Sequence, residues 1–241
     1  MATGIDHIVI VVRDLAASSR DYTAAGFTVV PGGEHSNGKS HNALVAFGDG
    51  TYFELIAFPD PRDTGGNPWA TALRDSGEGL VDFALRTDDL DAEVTNLQAA
   101  GIPVVGPVEG GRTRPDGQSL SWRTIRFDAP SAPFYCHDIT DRTLRVPGGE
   151  ATTHANGATA VHGIVIPVGN LEETTALYAA LTGDDGEIAG DRARFNAGNQ
   201  FIELTIAEGN RPLEVILNAP GSDTVLLPLD LTHGAHLRLT P

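Results

Sequence analysis

The sequence predicts an α+β fold built from tandem units of strand, helix and three strands. Two observations carry this: segments repeat along the chain, and within each repeat the apolar spacing changes from strand alternation to helical period and back. GIDHIVIVVRDL at 4–15 matches GLVDFALRTDDL at 79–90 position for position, and VHGIVIPVGNL at 161–171 matches them more loosely. Each reads as a strand running into a turn.

The helices follow. LAASSRDYTAAG, LDAEVTNLQAAG and LEETTALYAALTG each start behind an N-capping side chain, Asp14, Asp89 or Asn170, and stop at Gly26, Gly101 or Gly183. The spacing from Leu15 to Gly26 equals that from Leu90 to Gly101. Beyond each glycine the pattern returns to strand: FTVV, NALVAF and TYFELIAF in the first unit, IPVVGPV, SLSWRTIRF and PFYCHDI in the second, GEIAG, ARFNAG and QFIELTIA in the third. PLEVILNAP and AHLRLTP read as an abbreviated fourth copy. Residues 1–140 therefore hold two units, about 1–58 and 78–140, and residues 158–241 hold the third and the truncated fourth. The stretches 59–77 and 141–158 read as linkers.

Composition narrows the function classes. The 241 residues are 41% hydrophobic, enough for a sizeable core, and carry 16 Lys and Arg against 32 Asp and Glu, a formal net charge of −16. Such a surface repels phosphate backbones and anionic lipid, so neither nucleic acid nor a membrane is an expected partner. The longest apolar runs, such as IVIVV at 8–12, are strand-sized, no secretory leader pattern opens the sequence, and the expected compartment is the cytoplasm. The single cysteine, Cys136, excludes an internal disulfide and a thiolate zinc cluster, so any metal must use imidazoles and carboxylates.

GDGTYFELIAF at 48–58 places one acid, Glu54, inside an otherwise apolar strand. Alternation puts Tyr52, Glu54 and Ile56 on one face and Phe53, Leu55 and Ala57 on the other. A buried carboxylate is costly without a partner, so Glu54 needs one.

Repeated units with a His on a first strand and a Glu on a last strand resemble the vicinal oxygen chelate superfamily, which includes glyoxalases, bleomycin-resistance proteins and dioxygenases. GGEHSNGKSHNALVAFGDGTYFELIAF at 32–58 is similar to its glyoxalase-like subfamily. The resemblance covers most of the chain and weakens after about residue 207. It implies paired units curled into open-barrel cups that hold a divalent metal, Zn, Ni, Co, Mn or Fe(II), on their first and last strands. The corresponding ligands here are His7, Glu54, Asp82 and His137; a one-residue gap in the alignment would replace His137 by Cys136. Asp82 is short for reaching across a cup and is alternatively a group that orients a ligating imidazole. In the third unit Glu203 matches Glu54, but Gly163 stands where His7 does, so that unit reads as a structural copy.

His35 and His41 flank a Gly-containing loop and read either as solvated surface or as a flap bringing an imidazole over the cup for proton transfer. With Glu54 they are the candidate catalytic residues. Asn42 and Arg123 are candidates for hydrogen bonding to substrate, Trp122 and Tyr52 for walling a pocket, and Cys136 reads as a buried thiol. The resemblance implies a metal-dependent enzyme of lyase or isomerase type acting on a small oxygen-bearing substrate. The alternatives are a metal-free protein that sequesters a small molecule and an Fe(II) extradiol-type dioxygenase. Either a monomer or a homodimer is compatible with the strand pattern.

Overall fold

The computed structural model describes residues 1–60, 65–129 and 131–241. The first unit comprises β1 (Gly4–Val11), α1 (Leu15–Ala24), β2 (Val30–His35), β3 (His41–Ala46) and β4 (Tyr52–Ala57). After it come α2 (Pro68–Ser76) and the second unit, β5 (Gly79–Arg86), α3 (Leu90–Ala99), β6 (Val104–Thr113), β7 (Ser119–Phe127) and β8 (Phe134–Asp138). A one-turn helix α4 (Arg142–Arg145) leads to the third unit, β9 (Ala160–Val168), α5 (Leu171–Thr182), β10 (Glu187–Ala189), β11 (Arg192–Ala197) and β12 (Gln200–Ile206). The fourth keeps only strands, β13 (Glu214–Asn218), β14 (Val225–Leu226) and β15 (Leu237–Thr240).

The helix boundaries follow from the residues that flank them. Asp14, Asp89 and Asn170 each accept a hydrogen bond from the backbone N–H three residues on, satisfying a donor that the first helical turn leaves free. Helix α1 ends where Gly26 takes φ +90°, a left-handed conformation that a side chain would resist.

Two expected linkers carry structure. Residues 68–76 form α2, capped by the Asn67 side chain and started by Pro68, and its buried residues Ala70 and Leu73 pack inward. The apolar spacing is short and the flanks are rich in Pro, Gly and Asp, which hid it; residues 61–64 of this stretch lie outside the described residues. In 141–158, α4 is four residues long, below the length at which periodicity can be read, yet it buries Arg145 and brings the half-buried Arg142 to Asp6.

Strands β1 to β8 hydrogen-bond in a closed ring, in the order β1, β4, β3, β2, β6, β7, β8, β5. β1 lies parallel to β4 and antiparallel to β5, which is parallel to β8, so the two units face each other across a pseudo-twofold relation. The ring is uneven: β2 and β6 meet only at Glu34↔Thr113 and His35↔Arg112. The remaining strands form an open sheet, β10, β11, β12, β9, β13, β15, β14. There β9 lies parallel to β12 and antiparallel to β13, repeating the ring's central arrangement. Without a full fourth unit, β10 and β14 remain edges.

One apolar core joins ring and open sheet, with Ile8, Ile10, Phe53 and Leu55 from the first and Ile164, Ile166, Ile202 and Leu204 from the second. Each such side chain contributes about 1.5–3 kcal/mol on burial. Polar ties cross the same boundary: Ile5 N–H donates to Gln200 Oε1 at 2.9 Å and Tyr135 OH donates to the Leu181 carbonyl at 2.6 Å. Among the described residues no helix is long and apolar enough to cross a membrane.

Candidate functional site

The opposite faces of the same strands line the interior of the ring. On β4, Phe53, Leu55 and Ala57 enter the shared core while Tyr52, Glu54 and Ile56 face a cavity of about 150 Å³. On β1 the core takes Ile8 and Ile10, and His7 faces the cavity. The cavity is smaller than the 300–1,000 Å³ common for drug-sized ligands, so it suits a small molecule. Trp69, Trp122 and Phe134 form apolar walls, and His35, Asn42, Arg112 and Arg145 bring polar groups.

Asp6 explains how His7 is set. The pairing of β1 with β5 shifts register between Ile5 and His7, a bulge that leaves Asp6 out of the ladder. Asp6 is fully buried, and its Oδ1 stands 2.6 Å from His7 Nδ1. Burial alone would raise the Asp6 carboxyl; Arg145, the His7 hydrogen bond and Arg142 hold it well below the usual range. An ionised Asp6 can only accept, so His7 Nδ1 carries a proton and Nε2 is the ring nitrogen turned to the cavity. Tyr52 stacks on the His7 ring, with centroids 4.7 Å apart, and accepts from Arg145 Nη1 at 2.6 Å. Asp138 also binds Arg145 and Arg142, so two carboxylates balance two guanidiniums behind His7.

Glu54 is 6% exposed and stands between two imidazoles, with Oε2 3.7 Å from His7 Nε2 and Oε1 3.3 Å from His35 Nε2. Asn42 Nδ2 donates to Oε1 at 2.7 Å. Burial would raise its carboxyl, but the His35 hydrogen bond and charge, His7 and Asn42 bring it down to about 2. His35, at the end of β2, has its Nδ1 3.0 Å from Ser40 Oγ and its ring edge-on to Trp122. A hydroxyl both donates and accepts, so Ser40 satisfies His35 Nδ1 in either tautomer.

The sequence-derived set is only partly brought together. His7, Glu54 and His35 share the cavity; His41, Asp82 and His137 do not line it. His41 starts β3 and borders a shallow groove beside Leu15 and Val29. Asp82 matches His7 in the repeat, but β1 and β5 run antiparallel, so Ala84 is opposite His7 and Asp82 is opposite Val9. Its carboxylate instead accepts from Trp69 Nε1 at 2.8 Å, Arg126 Nη1 at 3.0 Å and its neighbour's backbone Phe83 N–H at 2.8 Å. His137 is turned away because strand alternation places Phe134 and Cys136 inward; its Nδ1 bonds the Thr87 carbonyl at 3.0 Å. The one-residue gap thus puts Cys136 in the cavity wall, where burial pushes its thiol up. Arg123 pairs with Asp91 at the surface, and His154 is a buried tie between Thr28 N–H and the Ala46 carbonyl.

Among the described residues one donor set has three mutually close ligand atoms, and a second converges pairwise. Asp6, His7 and Cys136 offer ligand atoms within 4.8 Å of one another. Asp6, however, is already bound by both arginines, and the Cys136 thiol is held neutral by burial. His7, Glu54 and His35 fit better. Both imidazoles turn Nε2 toward the Glu54 carboxylate, at 3.7 Å from Oε2 and 3.3 Å from Oε1, and ligands about 2.1 Å from one ion are about 3.0–3.4 Å apart, so His7 would close in by a few tenths of an ångström on loading. The ionised Asp6 behind His7 Nδ1 is the outer partner that ligating imidazoles require. Sequence reading missed Asp6, Arg112, Arg145 and Trp69. An Asp beside His7 in IDHIV was a signal; α4 and the packing of α2 gave none.

The ring of two strand-helix-three-strand units around a polar interior, repeated as an open sheet, defines the vicinal oxygen chelate fold. Residues 5–182 match the family model described as "Glyoxalase-like domain", and the chain belongs to that family. Among solved structures, a hypothetical protein from Staphylococcus aureus aligns over 98% of both chains with a TM-score of 0.81 at 18% identity. The Mn(II)-bound glyoxalase from Novosphingobium aromaticivorans aligns over 99% of this chain and 81% of its own, with a TM-score of 0.64 at 12% identity. A xylose isomerase-like TIM barrel/4-hydroxyphenylpyruvate dioxygenase fusion protein aligns over 95% of this chain but 40% of its own, with a TM-score of 0.59 at 17% identity. These likenesses establish the fold. Comparison with curated protein sequences gave no match.

Proposed function

We propose that the chain is a divalent-metal-dependent enzyme of lyase or isomerase type, in which His7, Glu54 and His35 would hold the ion beside a small oxygen-bearing substrate. One observation carries this reading. His7 Nε2, turned to the cavity by the Asp6 bond on Nδ1, faces the ionised Glu54 carboxylate across 3.7 Å, and His35 Nε2 stands 3.3 Å from the other Glu54 oxygen, so three side chains of ligand type converge on one buried space. When bound, a divalent ion supplies Lewis-acid stabilisation to charge developing on substrate oxygens.

The side chains then divide the work. With its carboxyl near 2, Glu54 is a weak base at neutral pH and contributes fixed negative charge. His35 keeps both tautomers open through Ser40, so its Nε2 can present a lone pair or carry a proton into the cavity. Trp69, Trp122 and Phe134 exclude water around these groups, which strengthens every charge interaction within.

Two imidazoles and one carboxylate are also the donor set of non-haem Fe(II) oxygenases, and that composition supports a second reading as a dioxygenase. Chelator-stripped protein should be reconstituted in turn with Zn, Ni, Co, Mn and anaerobic Fe(II), and its metal content and melting temperature measured. Uptake of one ion per chain with a raised melting temperature is expected. Oxygen consumption only with Fe(II) would favour the dioxygenase, and no uptake of any ion would leave metal-free sequestration as the better reading.

A further inference from the structure

The interior contains a buried guanidinium with no carboxylate of its own. Arg112, on β6 where it meets β2, is 4% exposed. Its Nη1 donates to the Gly32 carbonyl and its Nη2 to the Arg145 carbonyl at 2.6 Å. Among the described residues no carboxylate stands within ion-pair distance of it, whereas Arg145 and Arg142 pair with Asp6 and Asp138, and Arg126 with Asp82. The nearest balance for Arg112 is the longer-range charge of Glu54, and burial lowers its affinity for its proton.

Beside it is a second unsatisfied group. Asn42 Oδ1 is buried and has no hydrogen-bond partner among the described residues, while the same amide gives its Nδ2 to Glu54. Gly32 is what lets these groups approach: a Cβ there would collide with Asn42 Oδ1 and stand 2.9 Å from Arg112 Nη1. A cation without a carboxylate and aromatic walls thus share one small cavity in a chain whose net charge is −16. Burying a guanidinium without a carboxylate is costly, and a bound anion offsets that cost.

We propose that the cavity selects a small planar carboxylate, its anionic end paired with Arg112 and its flat body between the aromatic walls. This rests on the metal reading in one respect: with Glu54's charge taken up by a divalent ion, Arg112 loses a carboxylate charge that balances it, so loading the ion strengthens the preference for an anion. A neutral analogue of the same shape gains the apolar contacts and forfeits the charge-assisted bonds.

The chain has two tryptophans, and both line the cavity, so their fluorescence reports occupancy directly. Benzoate and benzamide are titrated into the full-length protein, metal-free and loaded with Zn(II), beside the Arg112→Gln and Arg112→Lys variants. Benzoate should bind about tenfold tighter than benzamide or better, the preference growing with zinc, vanishing in Arg112→Gln and partly returning in Arg112→Lys. Benzamide binding as tightly as benzoate, or neither binding, overturns the proposal in the wild type alone, even where Arg112→Gln fails to fold. A preference unchanged in a folded Arg112→Gln overturns it as well. If the protein takes no zinc but keeps an Arg112-dependent preference for benzoate, the anion site stands and the metal reading falls. Zinc bound without any benzoate preference gives the reverse.

Discussion

Replacing Glu54 with Gln tests the electrostatics of the interior. The Glu54 carboxyl titrates at about 2 in the folded chain against 4.5 for an unperturbed group. That interval corresponds to about 3 kcal/mol of stability at neutral pH. Because the folded value is depressed, the contribution is complete above the unfolded value and is lost as pH falls toward the folded one. About 2 kcal/mol should be gone by about pH 3. Urea unfolding of metal-free wild type and Glu54→Gln, followed from neutral pH downward, should show the wild type losing that much more than the variant. Other carboxylates titrate in both proteins and cancel in the difference. Parallel curves would mean that His35, His7 and Asn42 do not hold Glu54 ionised, and the reasoning about the site would fail.

Two further outcomes follow from the buried charges. Asp6→Ala leaves Arg145 and Arg142 short of a counter-charge and should destabilise the protein by about 3–5 kcal/mol in chemical denaturation; Asp6→Asn, by changing the partner of His7 Nδ1, should weaken metal affinity by about 10–100-fold in a titration. Cys136 is 2% exposed with its thiol pushed up by burial, so a thiol-reactive chromophore should label it only on unfolding. Fast labelling of the native protein would show that the cavity wall opens.

The repeat was legible because it rests on local rules. Asp14, Asp89 and Asn170 cap, the glycines stop, and alternation on β4 separates Glu54 from Phe53 and Leu55. The ligand set was legible only within a unit. Aligning His7 with Asp82 assumes that equivalent residues meet, but antiparallel pairing and two bulges move Asp82 opposite Val9. His137 and Cys136 differ by one position, and that slip reverses which faces the interior. Arg145 could not be foreseen, since a one-turn helix has no readable period and reaches Asp6 across 139 residues of sequence. His35 was recognised from its loop, but its distance to Glu54 depends on the narrow β2 to β6 seam.

Metal content of wild type, His7→Ala, His35→Ala, Asp82→Asn and His137→Ala, each reconstituted with the same ion, tests the assignment most directly. The expected result is one ion per chain in the wild type, Asp82→Asn and His137→Ala, with loss in His7→Ala and His35→Ala. Loss in Asp82→Asn or His137→Ala with retention in a folded His35→Ala would contradict it and return the ligands to the first and last strands of both units.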